Sequence, residues 1–286
     1  MYYFSYFCVK YVFTNHFMKS FFLSVALLSA ACTAMAGGRV ERDIPYSHNN
    51  DPYSVERCRL DVYGDTAGAD RPVVVWFHGG GLTGGSKELP GRLVSEGYVV
   101  VAPNYRLIPK VTVSECIDDA ASAVAWTFEN IERYGGDRSN IFVAGHSAGG
   151  YLTSMIGLDR RPLRRHGIEA DSIAALIPFS GQAITHFSHR KSQGIGELQP
   201  TVDSLAPLFY VRPDCPPYII ITGDREQEIF GRYEENAYLW RMMKLVGHKD
   251  VYIYEEDGFN HGDMCIPGFE VLVKHVNKIS RQRKNR

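Results

Sequence analysis

The sequence has almost no excess charge of either sign and no apolar run long enough to stand out as a membrane span. Its 286 residues carry a formal net charge of −1, with 31 Lys and Arg against 32 Asp and Glu. The chain therefore lacks the basic surplus that is typical of nucleic-acid-binding domains. It also lacks H-E-x-x-H and C-x-x-C patterns, which would indicate a zinc hydrolase or a thiol redox site. We expect no metal, no organic cofactor and no nucleic-acid partner, and the oligomeric state stays open.

The first 36 residues lack acidic side chains altogether. Lys19 precedes an apolar run at residues 21–28, and the segment ends on the small-residue pattern Ala34-Met35-Ala36. This is the pattern of a secretory signal peptide with an A-x-A cleavage site. We therefore predict a signal peptide at residues 1–36 and export to the periplasm or the extracellular space. Met18 beside Lys19 makes a better basic start than the preceding aromatic residues, which favours Met18 as the true start.

Two other interpretations of this segment stay open. A membrane anchor needs ~20 apolar residues, and the run here is shorter. Lipid attachment at Cys32 is disfavoured because Ser29 stands where a lipoprotein signal usually has an aliphatic residue.

Export would place the remaining cysteines in an oxidising compartment, where they could pair, but reduced thiols near the core fit the sequence equally well. These are Cys58, Cys116, Cys215 and Cys265.

Short, continuous apolar runs recur along the rest of the chain, as is typical of strands buried on both faces of a largely parallel sheet. They cover residues 72–77, 98–102, 141–144, 173–179, 218–222 and 251–254. Residues 37–51 are polar, and residues 55–63 alternate as an edge strand would. Helical periodicity lies between the runs, most clearly from Ile117 to Ile131, with Ser114 and Glu115 suited to the start of that helix and Gly135-Gly136 to its end. A second helical pattern runs from Tyr233 to Met243 and stops at Gly247. The pattern predicts one doubly wound α/β domain over residues 37–286, with ligands at the carboxyl ends of the strands.

One interval, residues 181–217, contains Gly, Pro and Ser without a clear strand. Inserts of this length in compact domains are usually functional or mobile. We expect it to form a lid or a wall of a substrate pocket, with an ordinary surface excursion as the alternative.

A strand–turn–helix pattern contains the candidate nucleophile. The run at residues 141–144 is followed by Gly145-His146-Ser147-Ala148-Gly149 and then by a helix-compatible segment. G-x-S-x-G in this setting is a nucleophile elbow, in which the serine occupies a strained turn and small neighbours let the strand and helix backbones pass. The pattern predicts that Ser147 presents its hydroxyl at the carboxyl edge of the sheet.

His78-Gly79-Gly80-Gly81 directly follows the run ending at Phe77. Glycines let a substrate carbonyl approach backbone N–H groups that stabilise an oxyanion. We predict Gly80 and Gly81 as oxyanion donors together with Ala148, the residue after the nucleophile, and we expect His78 to fix the loop by hydrogen bonding. A phosphate-binding loop is the alternative, but Gly85-Ser86-Lys87 has lysine and serine in the wrong order for that motif.

A nucleophilic serine needs a histidine to accept its proton and a carboxylate to orient the histidine. His261 lies in a polar loop just after the run at residues 251–254, so it can reach the sheet edge. Four other histidines lack such a position and are expected at the surface: His166, His186, His189 and His248. The turn after residues 218–222 offers three acids, Asp224, Glu226 and Glu228, each of which is either the orienting carboxylate or a solvated loop charge.

Five segments together carry a family resemblance. They are His78-Gly79-Gly80-Gly81, Asn104-Tyr105-Arg106-Leu107, Asp118 leading a helix with Trp126, the serine motif ending Gly149-Gly150, and Gly258-Phe259-Asn260-His261. The chain resembles the α/β-hydrolase carboxylesterases from about Leu60 to its end, least between residues 181 and 217. It is most similar to the hormone-sensitive-lipase-like branch and the feruloyl or acetyl-xylan esterase-like group.

The resemblance implies an α/β-hydrolase fold and a Ser147, acid, His261 triad. The family's acid usually lies three residues beyond a strand-end glycine, and counting from Gly223 that position is Glu226. We therefore predict Glu226, with Asp224 and Glu228 as alternatives. The implied activity is serine carboxylesterase, on short or aromatic acyl groups attached to carbohydrate. Esters of lipids are the second candidate, and a serine peptidase of the same fold is the third.

Overall fold

The computed structural model of the protein describes residues 37–65 and 68–285. The predicted signal segment, residues 1–36, lies outside the described residues. In the described part, eight strands form one sheet in the order β1-β2-β4-β3-β5-β6-β7-β8. The strands are β1 Arg39–Pro45, β2 Arg59–Gly64, β3 Arg71–Phe77, β4 Val99–Pro103, β5 Gly136–His146, β6 Ala175–Phe179, β7 Tyr218–Gly223 and β8 Val251–Glu256.

The sheet is mostly parallel. Strand β2 runs antiparallel to both β1 and β4, and the pairs from β4 through β3 to β8 are parallel. Both faces of the central strands are covered, because Val73 and Val75 belong to one apolar cluster while Val74 and Trp76 belong to the other. Burial on both faces is the reason that these strands read as continuous apolar runs. The predicted fold class is confirmed.

Helices cover the two faces. They are α1 Pro52–Arg57, α2 Gly91–Ser95, α3 Val113–Asn130, α4 Ala148–Leu158, α5 Arg161–Arg164, α6 Phe187–Ser192, α7 Arg232–Leu245 and α8 Cys265–Lys284. Short 3-10 turns occupy Ile131–Tyr134, Ala170–Ser172 and Pro207–Tyr210. Ile117 of α3 and Leu152 of α4 pack on one face, and Leu93 of α2 and Leu272 of α8 pack on the other. The carboxyl ends of the parallel strands therefore open between helix layers, where loops carry the chemistry.

The segment before β2 differs from the sequence-based prediction. Strand β1 occupies part of the stretch that was expected to be a polar connection, and it pairs with β2 at the sheet edge. The predicted strand at residues 55–63 begins only at Arg59. Asp51 accepts a hydrogen bond from the Ser54 amide and Pro52 opens the first turn, so a short capped helix replaces the start of that strand.

The strongest helix prediction is confirmed, with an earlier start. Helix α3 begins at Val113 because Thr112 and Glu115 form a reciprocal capping box, which satisfies two orphan N–H groups at the first turn.

None of the helices in residues 37–65 and 68–285 is long and apolar enough to cross a membrane.

The four cysteines of the described part carry free thiols. Cys58, Cys116 and Cys215 are buried, and burial raises the pKa of each thiol. Of the two alternatives left open by the sequence, this arrangement is the one with reduced thiols in and near the core.

Candidate active site

Ser147 lies on a strained turn between β5 and α4. Its backbone has φ 55° and ψ −114°, a region that residues with a side chain rarely adopt. The Ser147 amide donates to the carbonyl oxygen of Phe179 at 2.8 Å, which ties the turn to β6. A Cβ at Gly145 would lie 2.6 Å from the carbonyl carbon of Gly149, and one at Gly149 would collide with the Phe77 carbonyl oxygen. Close backbone packing therefore requires both glycines.

The loop between β8 and α8 brings His261 to this serine. His261 Nε2 lies 3.0 Å from Ser147 Oγ. The residue before the nucleophile helps to place the histidine loop, because the His146 ring contacts the His261 carbonyl oxygen through Nε2 at 2.7 Å. Burial, with a smaller contribution from the charge of His261, lowers the pKa of His146 to about 4. His146 is therefore neutral near pH 7 and donates its Nε2 proton to that carbonyl.

Glu228, not Glu226, is the carboxylate that meets His261. Its Oε2 lies 2.8 Å from His261 Nδ1, and its side chain is 1% exposed. The prediction of Glu226 is wrong in this respect: Glu226 is exposed on the turn, and its amide donates to Asp224 Oδ1 at 2.9 Å. The turn after β7 is stabilised by Asp224, which also accepts from the Gly258 amide at 2.8 Å. Because this turn uses two more residues than the family spacing, the inward position falls to Glu228.

The Glu228 carboxylate is held in its charged form. Burial raises its pKa, but hydrogen bonds from His261 and Ser180 and from the Gly223 amide outweigh burial and bring the pKa down to about 2. The Gly223 amide donates to Oε1 at 2.9 Å and the Ile229 amide to Oε2 at 3.2 Å. A carboxylate with several donors is stabilised as the anion. Glu228 can therefore orient His261 and balance its positive charge.

Ser180 is a site residue that the sequence reasoning missed. Its hydroxyl donates to Glu228 Oε1 at 2.6 Å and lies 3.0 Å from His261 Nδ1. Ser180 is fully buried and has φ 46°, and its amide donates to the Ile221 carbonyl oxygen at 2.7 Å. The available sign was its place directly after the apolar run that ends at Phe179, at a carboxyl strand end where polar side chains gather.

A buried ion pair supports this corner of the site. Arg232 of α7 donates to the Ser180 carbonyl oxygen through Nη1 and to Glu235 Oε1 through Nε at 2.8 Å. Glu235 Oε2 in turn accepts from the amides of Ala183 and Ile184 at 3.0 and 3.1 Å. Helix α7 therefore links the turn that carries Glu228 to the first residues of the 181–217 insert.

The glycine loop after β3 has the backbone geometry that its sequence suggests. Gly80 and Gly81 have φ 116° and 62°, and a Cβ at Gly80 would lie 2.6 Å from the carbonyl carbon of Gly84. In the described part of the chain, neither glycine amide donates to another protein group. The Ala148 amide belongs to the first turn of α4, where no intrahelical acceptor exists. The three predicted donors are thus available to a ligand.

His78 and Tyr105 stabilise the start of this loop. The His78 ring contacts the Gly79 carbonyl oxygen through Nδ1 at 2.7 Å and stacks on the Tyr105 ring at 4.4 Å. The Tyr105 hydroxyl donates to the His78 carbonyl oxygen at 2.8 Å. Burial lowers the pKa of His78 to about 4, so the ring is neutral near pH 7. This geometry fits a loop-fixing role.

The insert at residues 181–217 borders the glycine loop. Helix α6 lies within it, and Ser188 Oγ donates to the Gly81 carbonyl oxygen at 2.8 Å. The insert is therefore a wall of the candidate site. Two of the histidines expected at the surface, His186 and His248, are instead buried, because the loops that carry them pack inward.

Cavities elsewhere do not coincide with this chemistry. One of about 570 Å³ lies at the amino ends of β6, β7 and β8, with Ala174, Pro217 and Asp250 among its lining residues. The catalytic edge is at the opposite end of these strands. Within residues 37–65 and 68–285, no group of three or more His, Cys, Asp or Glu side chains is arranged to hold a metal ion.

The sheet is mostly parallel, and a serine, a histidine and a glutamate are linked by hydrogen bonds at its carboxyl edge. These features define a protein of the α/β-hydrolase class. The BD-FAE family model matches residues 60–236, more than half of the chain, and the chain belongs to that family. The match includes Ser147 and Glu228. His261 lies beyond it and is placed by the fold.

Curated relatives carry esterase names. Esterase LipC of Mycobacterium tuberculosis is 27% identical over 74% of this chain and 59% of its own length. The probable carboxylic ester hydrolase LipM of the same organism is 32% identical over 65% of this chain and 49% of its own length. The chain therefore spans about half to three-fifths of the length of these relatives.

Solved structures share the fold. A truncated carbohydrate esterase from gut microbiota has a TM-score of 0.70 at 17% identity, covering 85% of this chain and 96% of that one. Esterase B of Lactobacillus rhamnosis has a TM-score of 0.68 at 19% identity, covering 93% and 96%. The propionate-bound esterase Est2 of Thermogutta terrifontis has a TM-score of 0.64 at 22% identity, covering 86% and 96%.

Proposed function

We propose that the protein is a serine carboxylic ester hydrolase. The observation that carries the proposal is the chain of contacts from Ser147 Oγ to His261 Nε2 at 3.0 Å and from His261 Nδ1 to Glu228 Oε2 at 2.8 Å. Acyl transfer by a serine requires a nucleophile, a base and an orienting acid that contact one another in this order. The esterase names of the relatives support ester hydrolysis.

The proposed reaction has two halves. His261 Nε2 accepts the Ser147 hydroxyl proton as Ser147 Oγ bonds to the ester carbonyl carbon. The charged ring then donates that proton to the departing alcohol oxygen as the ester bond breaks. In the second half, a water molecule bonds to the acyl carbon while His261 accepts one of the water protons. His261 then returns this proton to Ser147 Oγ as the bond between the serine and the acyl group breaks and the carboxylic acid is released. The Glu228 anion stabilises the charged imidazole in both halves.

The oxyanion of each tetrahedral intermediate would be stabilised by backbone amides. Gly80, Gly81 and Ala148 supply amides that have no protein acceptor in the described residues. Fixed donors of this kind stabilise charge that develops only in the transition state, typically by about 3 kcal/mol each. The left-handed backbone at Gly80 and Gly81 favours glycine, and because glycine has no side chain, nothing at these two positions blocks the approach of the substrate carbonyl.

For the substrate, we propose short-chain or aromatic acyl groups on carbohydrate. The likeness to a carbohydrate esterase and the predicted export support this choice. Esters of lipids are the second candidate, favoured by the complex of Esterase B with an inhibitor described as a tributyrin phosphonate.

The test is hydrolysis of p-nitrophenyl acyl esters, acetylated xylan, methyl ferulate and tributyrin by the purified protein and by Ser147→Ala. We expect turnover that falls at least 10³-fold in Ser147→Ala and stays at the wild-type level in Ser95→Ala, a matched change of an exposed serine. Equal rates for Ser147→Ala and the wild type would rule out the serine mechanism. The preferred ester separates carbohydrate from lipid substrates.

Export is a separate proposal, based on residues 1–36. Expression of the full chain in a bacterial host, followed by fractionation and N-terminal sequencing, tests it. We expect a periplasmic or extracellular product that begins at Gly37. A cytoplasmic product with an intact N-terminus, or a membrane-bound product modified at Cys32, would contradict it.

A further inference from the structure

One arginine at the end of helix α1 donates to two loops at the carboxyl edge of the sheet. Arg57 Nη2 donates to the carbonyl oxygen of Gly85, and Arg57 Nε donates to that of Tyr105 at 3.0 Å. Gly85 follows β3 and Tyr105 follows β4, its parallel neighbour. A guanidinium group is planar and presents its N–H donors in fixed directions, so it can hold two carbonyl groups at a set separation. Arg57 therefore ties these two loops together.

Gly85 is packed against the start of the glycine loop. A Cβ at Gly85 would lie 2.3 Å from the Gly79 carbonyl oxygen and 2.5 Å from His78 Nδ1. The loop also closes on itself, because the Gly84 amide donates to the Gly80 carbonyl oxygen at 2.9 Å. Groups packed this closely cannot move independently of one another. A shift of the Gly85 carbonyl group is therefore transmitted to Gly79 and Gly80.

Tyr105 gives a second connection to the same point. Its hydroxyl donates to the His78 carbonyl oxygen at 2.8 Å, and its ring stacks on the His78 ring. Burial, aided by the nearby charge of Arg57, lowers the pKa of His78 to about 4, so the guanidinium lies beside a neutral ring. Both connections from Arg57 thus end at residues 78 and 79, immediately before the two predicted oxyanion glycines.

A second arginine of the same segment offers a matched comparison. Arg59 Nε donates to the Val55 carbonyl oxygen and Arg59 Nη1 to the Asp43 carbonyl oxygen, each at 3.0 Å. These acceptors belong to α1 and β1. Arg57 and Arg59 thus each donate to two backbone carbonyl groups, and of the two it is Arg57 whose acceptors border the glycine loop.

We propose that Arg57 is a positioning residue for the oxyanion site. By holding the carbonyl groups of Gly85 and Tyr105, it keeps the amides of the two oxyanion glycines in fixed positions. This inference rests on the proposed ester hydrolase function. Fixed donors stabilise the transition state because they need no reorganisation as charge develops on the substrate oxygen. Loss of the guanidinium would therefore weaken binding of the transition state more than binding of the substrate.

The kinetic test compares Arg57→Gln and Arg57→Lys with Arg59→Gln on p-nitrophenyl acetate. We expect Arg57→Gln to lower kcat about tenfold to a hundredfold with KM within about twofold, since outright loss of one oxyanion donor costs about 10²-fold to 10³-fold. Arg57→Lys should lose most of the same activity, because an ammonium group keeps the charge but cannot span two carbonyl groups. Arg59→Gln should keep the wild-type kcat, and urea unfolding checks that each variant folds.

Three kinetic results would overturn the inference. The first is a wild-type kcat in Arg57→Gln, or a change in KM alone. The second is an equal loss in Arg57→Gln and Arg59→Gln, which would trace the effect to the stability of the segment. The third is a fully active Arg57→Lys, because charge would then be sufficient without the planar group.

A measurement on the protein without substrate separates this inference from the proposed function. In protein labelled with ¹⁵N-glycine, NMR order parameters report how rigidly each glycine amide is held, and about 0.85 is typical of a rigid backbone. We expect the values for Gly80 and Gly81 to fall towards about 0.6 in Arg57→Gln and to stay unchanged in Arg59→Gln. Unchanged values in Arg57→Gln would overturn the positioning role whatever the rates. If the wild type hydrolyses no ester, a loss of order at both glycines rejects the esterase and supports the positioning role.

Discussion

At the scale of single residues, the site depends on where one carboxylate reaches. Three acids occupy the turn after β7, yet only Glu228 contacts His261. Asp224 accepts from the amides of Glu226 and Gly258 and shapes the turn. Glu226 is exposed on that turn. Neighbouring residues of the same chemistry therefore have different roles because the turn directs them differently.

Glu228→Gln and Glu226→Gln form a matched pair that tests this assignment. We expect Glu228→Gln to lower kcat on p-nitrophenyl acetate by about 10³-fold to 10⁴-fold, because an amide neither balances the imidazolium nor fixes the required tautomer. Glu226→Gln should stay within about twofold, as most exposed substitutions do. Steady-state kinetics on both variants measures the difference. A large loss in Glu226→Gln with a normal Glu228→Gln would reverse the assignment.

Ser180 is expected to act as a positioning residue through its hydrogen bond to Glu228. Ser180→Ala and Ser180→Gly both remove the hydroxyl, while only glycine relieves the strain at φ 46°. We expect both variants to lower kcat about tenfold with little change in KM, since one hydrogen bond to a charged group contributes about 1.5 kcal/mol or more. Kinetics and urea unfolding are measured together. A kcat that follows stability, with Ser180→Gly behaving as wild type, would assign Ser180 a purely structural role.

At the scale of elements, the elbow requires backbones to pass at close range. Helix α4 begins directly after Ser147. It crosses β3 and β5 so tightly that Gly149, in its first turn, has no room for a side chain. Close packing of this kind transmits any added volume to the backbone. The strand ends, the elbow and the glycine loop are therefore one packed unit.

Gly149→Ala and Gly91→Ala test this packing. At Gly149 a Cβ collides with the Phe77 carbonyl oxygen, whereas at Gly91, in the first turn of α2, a Cβ meets nothing within 4 Å. We expect Gly149→Ala to lower the free energy of unfolding by about 2 kcal/mol or more and to reduce kcat. Gly91→Ala should be neutral or slightly stabilising. Urea unfolding of both variants checks this, and equal stabilities would contradict the tight crossing.

At the scale of the whole molecule, stability is linked to pH through the buried acid. The pKa of Glu228 is about 2 in the folded protein, below its ordinary value of 4.5. A lowered folded-state pKa stabilises the fold above the unfolded value, and that contribution is lost as the pH falls from about 4.5 towards 2.

This linkage predicts a pH-dependent cost of Glu228→Gln. We expect the difference in unfolding free energy between the wild type and Glu228→Gln to be about 3 kcal/mol at pH 7. It should shrink as the pH is lowered from about 4.5 to 2.5. Urea unfolding at a series of pH values measures it. A difference that does not change with pH would show that ionisation of Glu228 does not stabilise the fold.

Local patterns were sufficient for the framework and for two of the three triad positions. The apolar runs predicted six parallel-sheet strands, because burial on both faces demands an apolar side chain at every position. Ser147 and His261 were predictable because each lies in the turn or loop that follows such a run. The helix α1 was missed because its Asp51 and Pro52 capping residues precede a segment with strand-like alternation. The histidines at positions 186 and 248 were misplaced because burial of a loop depends on distant packing.

The sequence by itself determined the α/β architecture, the nucleophile, the base and the glycine loop, since each is encoded by residues adjacent in the chain. Only the tertiary structure decided that Glu228 orients His261, that Ser180 donates to Glu228, and that the rings of Phe187 and Phe230 lie next to each other. Ser180 and Glu228 are 48 residues apart in sequence, and Phe187 and Phe230 are 43 apart. Such pairs depend on how a turn and an insert fold onto the sheet, and no local periodicity records that.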